Sequence, residues 1–294
     1  MKAQIRSIAS RLRAAAADEP FGIRGTLALS LDRFARARAR SREAALPACF
    51  PQTPVILRKL RHSGFCAIDG FLSRTACADL AARLRQALDS HPALIHPGSS
   101  YDQRLHGVEN VDTAFGVFSA APLLSEIARL YLGEPARTAF TLGASLLATP
   151  GNAGSGGGWH RDSFLPQFKA MLYLTDVTED NGPFQIIEGS HKLWRSVRDN
   201  VELGQRYGDS RITADAVLQL LHRDSTERLC TLGGPAGTLL LFDSSAIHRG
   251  SPVRAGTRMA LTNYFYPEQD ISADLYDHFR PVAGRLALNA RATR

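Results

Sequence analysis

From about Ala136 to Pro267 the chain is written in short apolar runs cut by Gly, Pro, Asn and Asp. Runs that brief, spaced by turn residues, predict antiparallel strands stacked as a sandwich or small barrel. Strands are expected near 137–148, 158–162, 168–175, 184–188, 227–232, 238–243, 246–249 and 257–265. Residues 191–226 break the rhythm: "ITADAVLQLLHRD" has helical spacing and charge, so this stretch is expected to be an insertion over one end of the barrel, lid-like in placement.

Upstream the punctuation is helical. Pro47, Pro51 and Pro54 close an N-terminal segment, and the helix that follows is expected to stop at Gly64 before a strand at Phe65–Ile68. Ser73 is placed to cap a helix over 73–88, residues 89–118 read as loop, and a helix over 122–133 ends at Gly133. The expected division is a basic helical segment at 1–54 and one domain at 55–294 carrying the 191–226 insertion.

Charge supports that division. Of the formal net charge of +7, residues 1–54 hold ten Lys/Arg against four Asp/Glu. Ile5, Ile8 and Leu12 lie at helical spacing among Lys2, Arg6, Arg11 and Arg13, and "RFARARARSRE" is a denser basic run. The plain expectation is a solvated helix face packed on the main domain; the alternative is electrostatic docking, including peripheral contact with an anionic membrane. No stacking aromatics accompany the arginines, so specific nucleic-acid recognition is not expected. No run of eighteen uncharged apolar residues and no secretory signal is present, which predicts a cytoplasmic protein without a transmembrane segment. Cys49, Cys66, Cys77 and Cys230 form no CxxC pair, so neither a disulfide framework nor a zinc ribbon is expected.

The chemistry is concentrated in "GSGGGWHRDSF", residues 154–164. On a strand, alternation would aim His160 and Asp162 into the barrel and turn Arg161 and Trp159 away, Trp159 toward the core. A third ligand is available in "FDSSAIHRGSP" as His248. Two imidazoles and a carboxylate on one face of an octahedron suit non-haem Fe(II) and leave positions for a co-substrate and dioxygen, whereas structural zinc would need a fourth protein ligand. Arg258, in "TRMALTNYFYP", can grip a carboxylate with two parallel hydrogen bonds, which suits 2-oxoglutarate. In "PQFKAMLYLTDV" alternation places Lys169, Met171, Tyr173 and Thr175 on one mixed face, expected to line the cavity, with Lys169 meeting a carboxylate of 2-oxoglutarate or substrate. His191, Asp176 and Asp180 read as turn residues; Arg104 and His106 are candidates for a substrate mouth. "GSGGG" lacks the following helix that phosphate binding requires.

These stretches, with "GFCAIDGFLS", "LYLTDVTEDNGPFQIIEGSHK" and "GTLLLFDSSAIHRGSP", resemble the phytanoyl-CoA dioxygenase (PhyH-like) family of Fe(II)/2-oxoglutarate oxygenases from about Leu57 to Pro267. The resemblance implies a mainly β fold with flanking helices and a double-stranded β-helix (jelly-roll, cupin-like) core. It implies Fe(II) on His160, Asp162 and His248, 2-oxoglutarate on Arg258 with Met171 in contact, O2 as co-substrate, and hydroxylation of a small molecule with release of succinate and CO2. Asp162 fills the position that halogenases leave open for chloride, so hydroxylation is preferred; desaturation and epimerisation stay compatible. Two other classes are weighed: a cupin-like metal-dependent hydrolase or isomerase, indifferent to loss of Arg258, and a non-catalytic interaction protein acting through its basic segment. The substrate is read only as small and, from charge, anionic; oligomeric state is not legible.

Overall fold

Two glycines set the helix ends where the sequence places them. Gly64 (φ 89°) and Gly133 (φ 73°) sit in the left-handed region and close the helices before them with backbone bonds to Leu60 and Arg129. The computed structural model describes residues 8–9, 11–12, 14–15, 19–43, 48–97, 101–223 and 228–284, and of residues 35–43 the backbone only. Helix α1 spans Ile23–Glu43, α2 Thr53–Ser63, α3 Arg74–Ser90 and α4 Pro122–Leu132. The hydroxyl of Ser73 accepts from Ala76 N, as an N-cap should. Of the N-terminal pattern, Lys2, Ile5, Arg6 and Arg13 lie outside the described residues. Among the described residues no single helix is long and apolar enough to cross a membrane.

Among the described residues nine strands follow in two sheets: β1 Phe65–Ile68, β2 Asp102–His106, β3 Ala136–Leu147, β4 Phe168–Tyr173, β5 Phe184–Ile187, β6 Leu229–Leu232, β7 Leu239–Asp243, β8 His248–Gly250 and β9 Thr257–Pro267. The larger sheet runs β1-β7-β4-β9-β3-β2, the smaller β6-β5-β8, with every pairing between these strands antiparallel. Facing each other, they make the double-stranded β-helix that the family resemblance implies.

Period-two alternation sorts the larger sheet. Phe168, Ala170, Leu172, Leu241 and Leu261 face outward and pack under α2, α3 and α4 in the main core, with Leu60, Leu84 and Leu124. On the opposite face, three cross-strand rows run Asp102–Leu146–Arg258, Arg104–Ala144–Ala260 and His106–Leu142–Thr262–Met171. This face looks into the barrel.

Two expectations are corrected. Residues 89–118 contain β2 rather than loop alone; its inward side chains Asp102, Arg104 and His106 are polar, so the strand lacks an apolar signature, and only Leu105 joins the core. Residues 158–162 form no regular strand: His160 makes isolated bridges to His248 on one side and Arg211 on the other, because the glycines before it, at positive φ, depart from a ladder. The expected insertion lies between β5 and β6, which pair with each other, and holds α5 (Leu193–Glu202) and α6 (Ala214–Arg223). Residues 224–226 of it are outside the described part. Its segment 210–212 returns beside 159–161 through Arg161 N to Ser210 O (2.9 Å) and Ile212 N to Trp159 O (3.0 Å).

Candidate metal centre

His160, Asp162 and His248 converge although they come from an irregular segment and the start of β8. Their ligand atoms lie within 4.8 Å of one another. His160 Nε2 is 3.5 Å from Asp162 Oδ1, and His248 Nε2 is 3.8 Å from Oδ2. The segment is held by mutual backbone bonds between His160 and His248 (3.0 and 2.9 Å) and by Asp162 N to Ser244 O (2.9 Å).

Both rings are tied from behind. His160 Nδ1 lies 2.8 Å from Gly158 O and His248 Nδ1 2.9 Å from Ala246 O. A carbonyl only accepts, so Nδ1 carries the proton and the Nε2 lone pair is left for a metal. Burial first, and then the neighbouring His160 ring, push His248 down to about 3, which keeps it in the neutral, ligating form. Enclosure opposes ionisation of Asp162, but the adjoining Lys169 ammonium outweighs it and holds the carboxyl well below the usual carboxylate range. Neutral imidazoles and an ionised carboxylate are what a divalent ion requires. Gly156 permits the approach: at φ 84°, a Cβ there would run into the His160 ring.

The triad opens on a cavity of about 810 Å³. Arg258, 1% exposed, lines it; Nη1 donates to Gly182 O, Nε has no partner, and among the described residues it makes no ion pair. Burial pushes its pKa down, with Tyr173 and Asp102 opposing. A buried guanidinium with donors to spare fits a dicarboxylate that also reaches the triad. Lys169 points inward, as alternation predicts, with Nζ 2.6 Å from Asp162 Oδ2 and over the Tyr264 ring at 3.8 Å. Burial disfavours that ammonium, yet Asp162 and the two tyrosines Tyr264 and Tyr266 raise its pKa above the ordinary value. Met171 also lines the cavity.

The remaining candidates separate clearly. Arg104 and His106 reach the cavity wall; Arg104 is clamped by Asp102 Oδ2 (3.0 Å from Nε, 2.6 Å from Nη2) and Ser155 Oγ (3.1 Å). Burial, then His96 and Arg104, push His106 down to about 3. Trp159 packs with Ile187, Ile212 and Ile247 in a satellite core, as expected. His191 stays structural, its Nε2 3.2 Å from Arg61 O, and the Asp176 carboxylate ties its turn to distant segments by accepting from Ala236 N and pairing with Arg74. Sequence reasoning missed Arg161 as more than a spacer. It is 2% exposed, and burial lowers its pKa to about 10 with Asp199 opposing. It also missed Ser210 and Arg211 on the cavity wall. Residue spacing carries no signal for either, because both depend on where the insertion returns.

The model of one protein family, phytanoyl-CoA dioxygenase (PhyH), matches residues 60–260. Ectoine dioxygenase of Bordetella bronchiseptica is 24% identical over 214 residues, 65% of this chain and 68% of that protein. L-proline trans-4-hydroxylase of Streptomyces griseoviridis is 28% identical over 176 residues, 54% of this chain and 64% of that protein. Among solved structures, EctD from S. alaskensis with bound Fe aligns at TM-score 0.53 and 18% identity, covering 71% of this chain and 74% of that one. The non-heme alpha ketoglutarate dependent epimerase SnoN from nogalamycin biosynthesis aligns at TM-score 0.56 and 16% identity, covering 73% and 82%. At these identities the structural likeness carries the fold.

Proposed function

The chain belongs to the phytanoyl-CoA dioxygenase family, and on that premise we propose that it hydroxylates a carboxylate-bearing small molecule with Fe(II) on His160, Asp162 and His248 and 2-oxoglutarate on Arg258. Its activity is that of a non-haem Fe(II)/2-oxoglutarate-dependent dioxygenase. The observation that carries the residue assignment is the convergence of three ligand atoms within 4.8 Å, with both histidines locked at Nδ1, on the wall of the cavity that holds Arg258.

When bound, iron and 2-oxoglutarate supply the oxidising power, consuming O2 and releasing succinate and CO2 as a C–H bond becomes C–OH. The chain's own residues do the placing. Asp162 and the two Nε2 atoms offer three ligands on one side, and Arg258 orients 2-oxoglutarate through its far carboxylate. Met171, Phe184 and Phe242 give the metal end apolar walls that limit water. Lys169, freed when Asp162 turns to the metal, meets an anion on the 2-oxoglutarate or substrate.

The substrate class rests on Arg104, whose Nη1 lies outside the bonds that fix the rest of its guanidinium, on the same cavity wall as His106. Ectoine and L-proline, named for the two relatives, both carry a carboxylate. The insertion covers one side of the cavity through Ser210 and Arg211, in the manner of a lid.

The test is aerobic incubation of the full chain with Fe(II), 2-oxoglutarate and a panel of amino and imino acids that includes L-proline and ectoine. Substrate-stimulated succinate and a product heavier by one oxygen are expected, with Arg104→Gln raising the substrate KM and leaving the co-substrate KM in place. Turnover of neutral molecules in preference to acids would overturn the substrate class.

A further inference from the structure

Arg161 stands between two ligands of the triad, and its side-chain hydrogen bonds run to other parts of the chain. Its side chain is 2% exposed on the far side of the 160–162 segment. Nη1 donates to Ser190 O (2.7 Å) and Ser245 O (2.6 Å), and Nη2 to Asp199 Oδ2 (3.1 Å). Ser245 belongs to the turn that delivers His248, Ser190 to the turn after β5, and Asp199 to helix α5 of the insertion. One guanidinium therefore ties the segment carrying His160 and Asp162 to the turn carrying His248 and to the insertion.

Asp199 is itself held. Arg223 of α6 donates to Oδ1 at 3.2 Å, Arg198 lies 3.5 Å from the same oxygen, and the Asp199 side chain is 2% exposed. Residues 159–162, by contrast, belong to no regular strand and meet the His248 segment through three backbone bonds, two between His160 and His248 and one from Asp162 N to Ser244 O, which the Arg161 guanidinium reinforces. A planar guanidinium with acceptors on both terminal nitrogens has one orientation that satisfies them all.

We propose that Asp199 and Arg161 are positioning residues of the metal centre, and that the insertion between β5 and β6 braces the ligand triad from behind. This rests on the reading of His160, Asp162 and His248 as the iron site. Without the Asp199 charge, Arg161 becomes a buried cation held only by carbonyls; it shifts toward water and carries the 160–162 backbone with it. Partners one shell out from a metal commonly govern ten- to a hundred-fold in affinity.

The experiment is an anaerobic Fe(II) titration of the full chain, wild type against Asp199→Asn. Metal affinity and the visible absorption of the Fe(II)–2-oxoglutarate complex are read well below the unfolding midpoint of each metal-free protein. Expected are Fe(II) binding weaker by roughly ten- to a hundred-fold and a displaced absorption band. A lowered midpoint with wild-type affinity and an unmoved band would assign the pair to stability alone and overturn the proposal. Should Asp199→Asn fail to fold, Arg161→Met with Asp199→Leu replaces the charge pair by apolar packing, which buried pairs tolerate. Wild-type Fe(II) affinity in that double variant overturns the proposal equally. A wild-type protein that binds no Fe(II) fails at the first arm, and there it is the iron-site reading that falls.

Discussion

Replacing Arg258 by methionine separates a ligand-binding charge from a structural one. The side chain is 1% exposed, gives Nη1 to the Gly182 carbonyl, and faces no carboxylate at ion-pair distance among the described residues. Removing one partner of a buried, hydrogen-bonded charge pair costs about 2–5 kcal/mol. The lower end alone weakens 2-oxoglutarate binding about thirty-fold. The metal-free protein should respond differently. It loses one hydrogen bond, worth about 1 kcal/mol, and is relieved of a buried charge without a counter-ion, so its stability should change by less than about 1 kcal/mol. Thermal unfolding of the metal-free protein reads the second quantity, and unfolding under anaerobic Fe(II) with and without 2-oxoglutarate reads the first. At a 2-oxoglutarate concentration about 100-fold above its Kd the wild type gains about 2.7 kcal/mol, and a thirty-fold weaker site gains only about 0.9. Full 2-oxoglutarate stabilisation in Arg258→Met would remove this residue from the co-substrate site. A metal-free variant destabilised by several kcal/mol would show that the guanidinium serves the barrel instead.

Alanine at His160, Asp162 or His248 should each abolish turnover and Fe(II) binding by isothermal titration, since two protein ligands do not hold Fe(II) in working geometry; near-native binding by any variant removes that residue from the site. Lys169→Met should raise the co-substrate KM or the substrate KM, because the ammonium beside Asp162 is the charge released when that carboxylate binds metal; steady-state kinetics unchanged for both would confine Lys169 to pairing with Asp162. His106, depressed to about 3 from an ordinary 6.5, stays neutral in the fold while the unfolded chain takes up a proton. Its contribution is therefore complete above about pH 6.5 and lost at about 1.4 kcal/mol per unit as pH falls toward 3. His106→Gln should flatten denaturant-derived stability between pH 6 and 4, and an unaltered slope would refute the assignment.

What the sequence disclosed was whatever local chemistry controls. Gly64, Gly133 and Ser73 end or begin helices by their own backbone and hydroxyl, so those boundaries were readable. The two-residue period of 168–173 correctly put Lys169 and Met171 inside and Phe168 and Leu172 in the core. Strand β2 was missed because a strand that lines a polar cavity reverses the usual pattern: Arg104 and His106 face inward and Leu105 outward. The HxD segment reached the expected ligand geometry without the expected strand. Arg161 was read correctly as turned from the metal, but its burial depends on Asp199, 38 positions away in an insertion whose return path no periodicity encodes.

The two histidines share one further property. Each gives its Nδ1 proton to a carbonyl two residues earlier in its own chain, Gly158 for His160 and Ala246 for His248, rather than to a carboxylate. An anionic partner would enrich the imidazole strongly and tighten its hold on a cation; a neutral amide oxygen orients the ring and raises its donor strength less. Iron held this way would exchange with the surroundings more readily than iron on carboxylate-backed imidazoles. The protein should therefore lose its metal on dialysis against a mild chelator while staying folded, recover it on simple addition, and accept competing divalent ions in proportion to their supply.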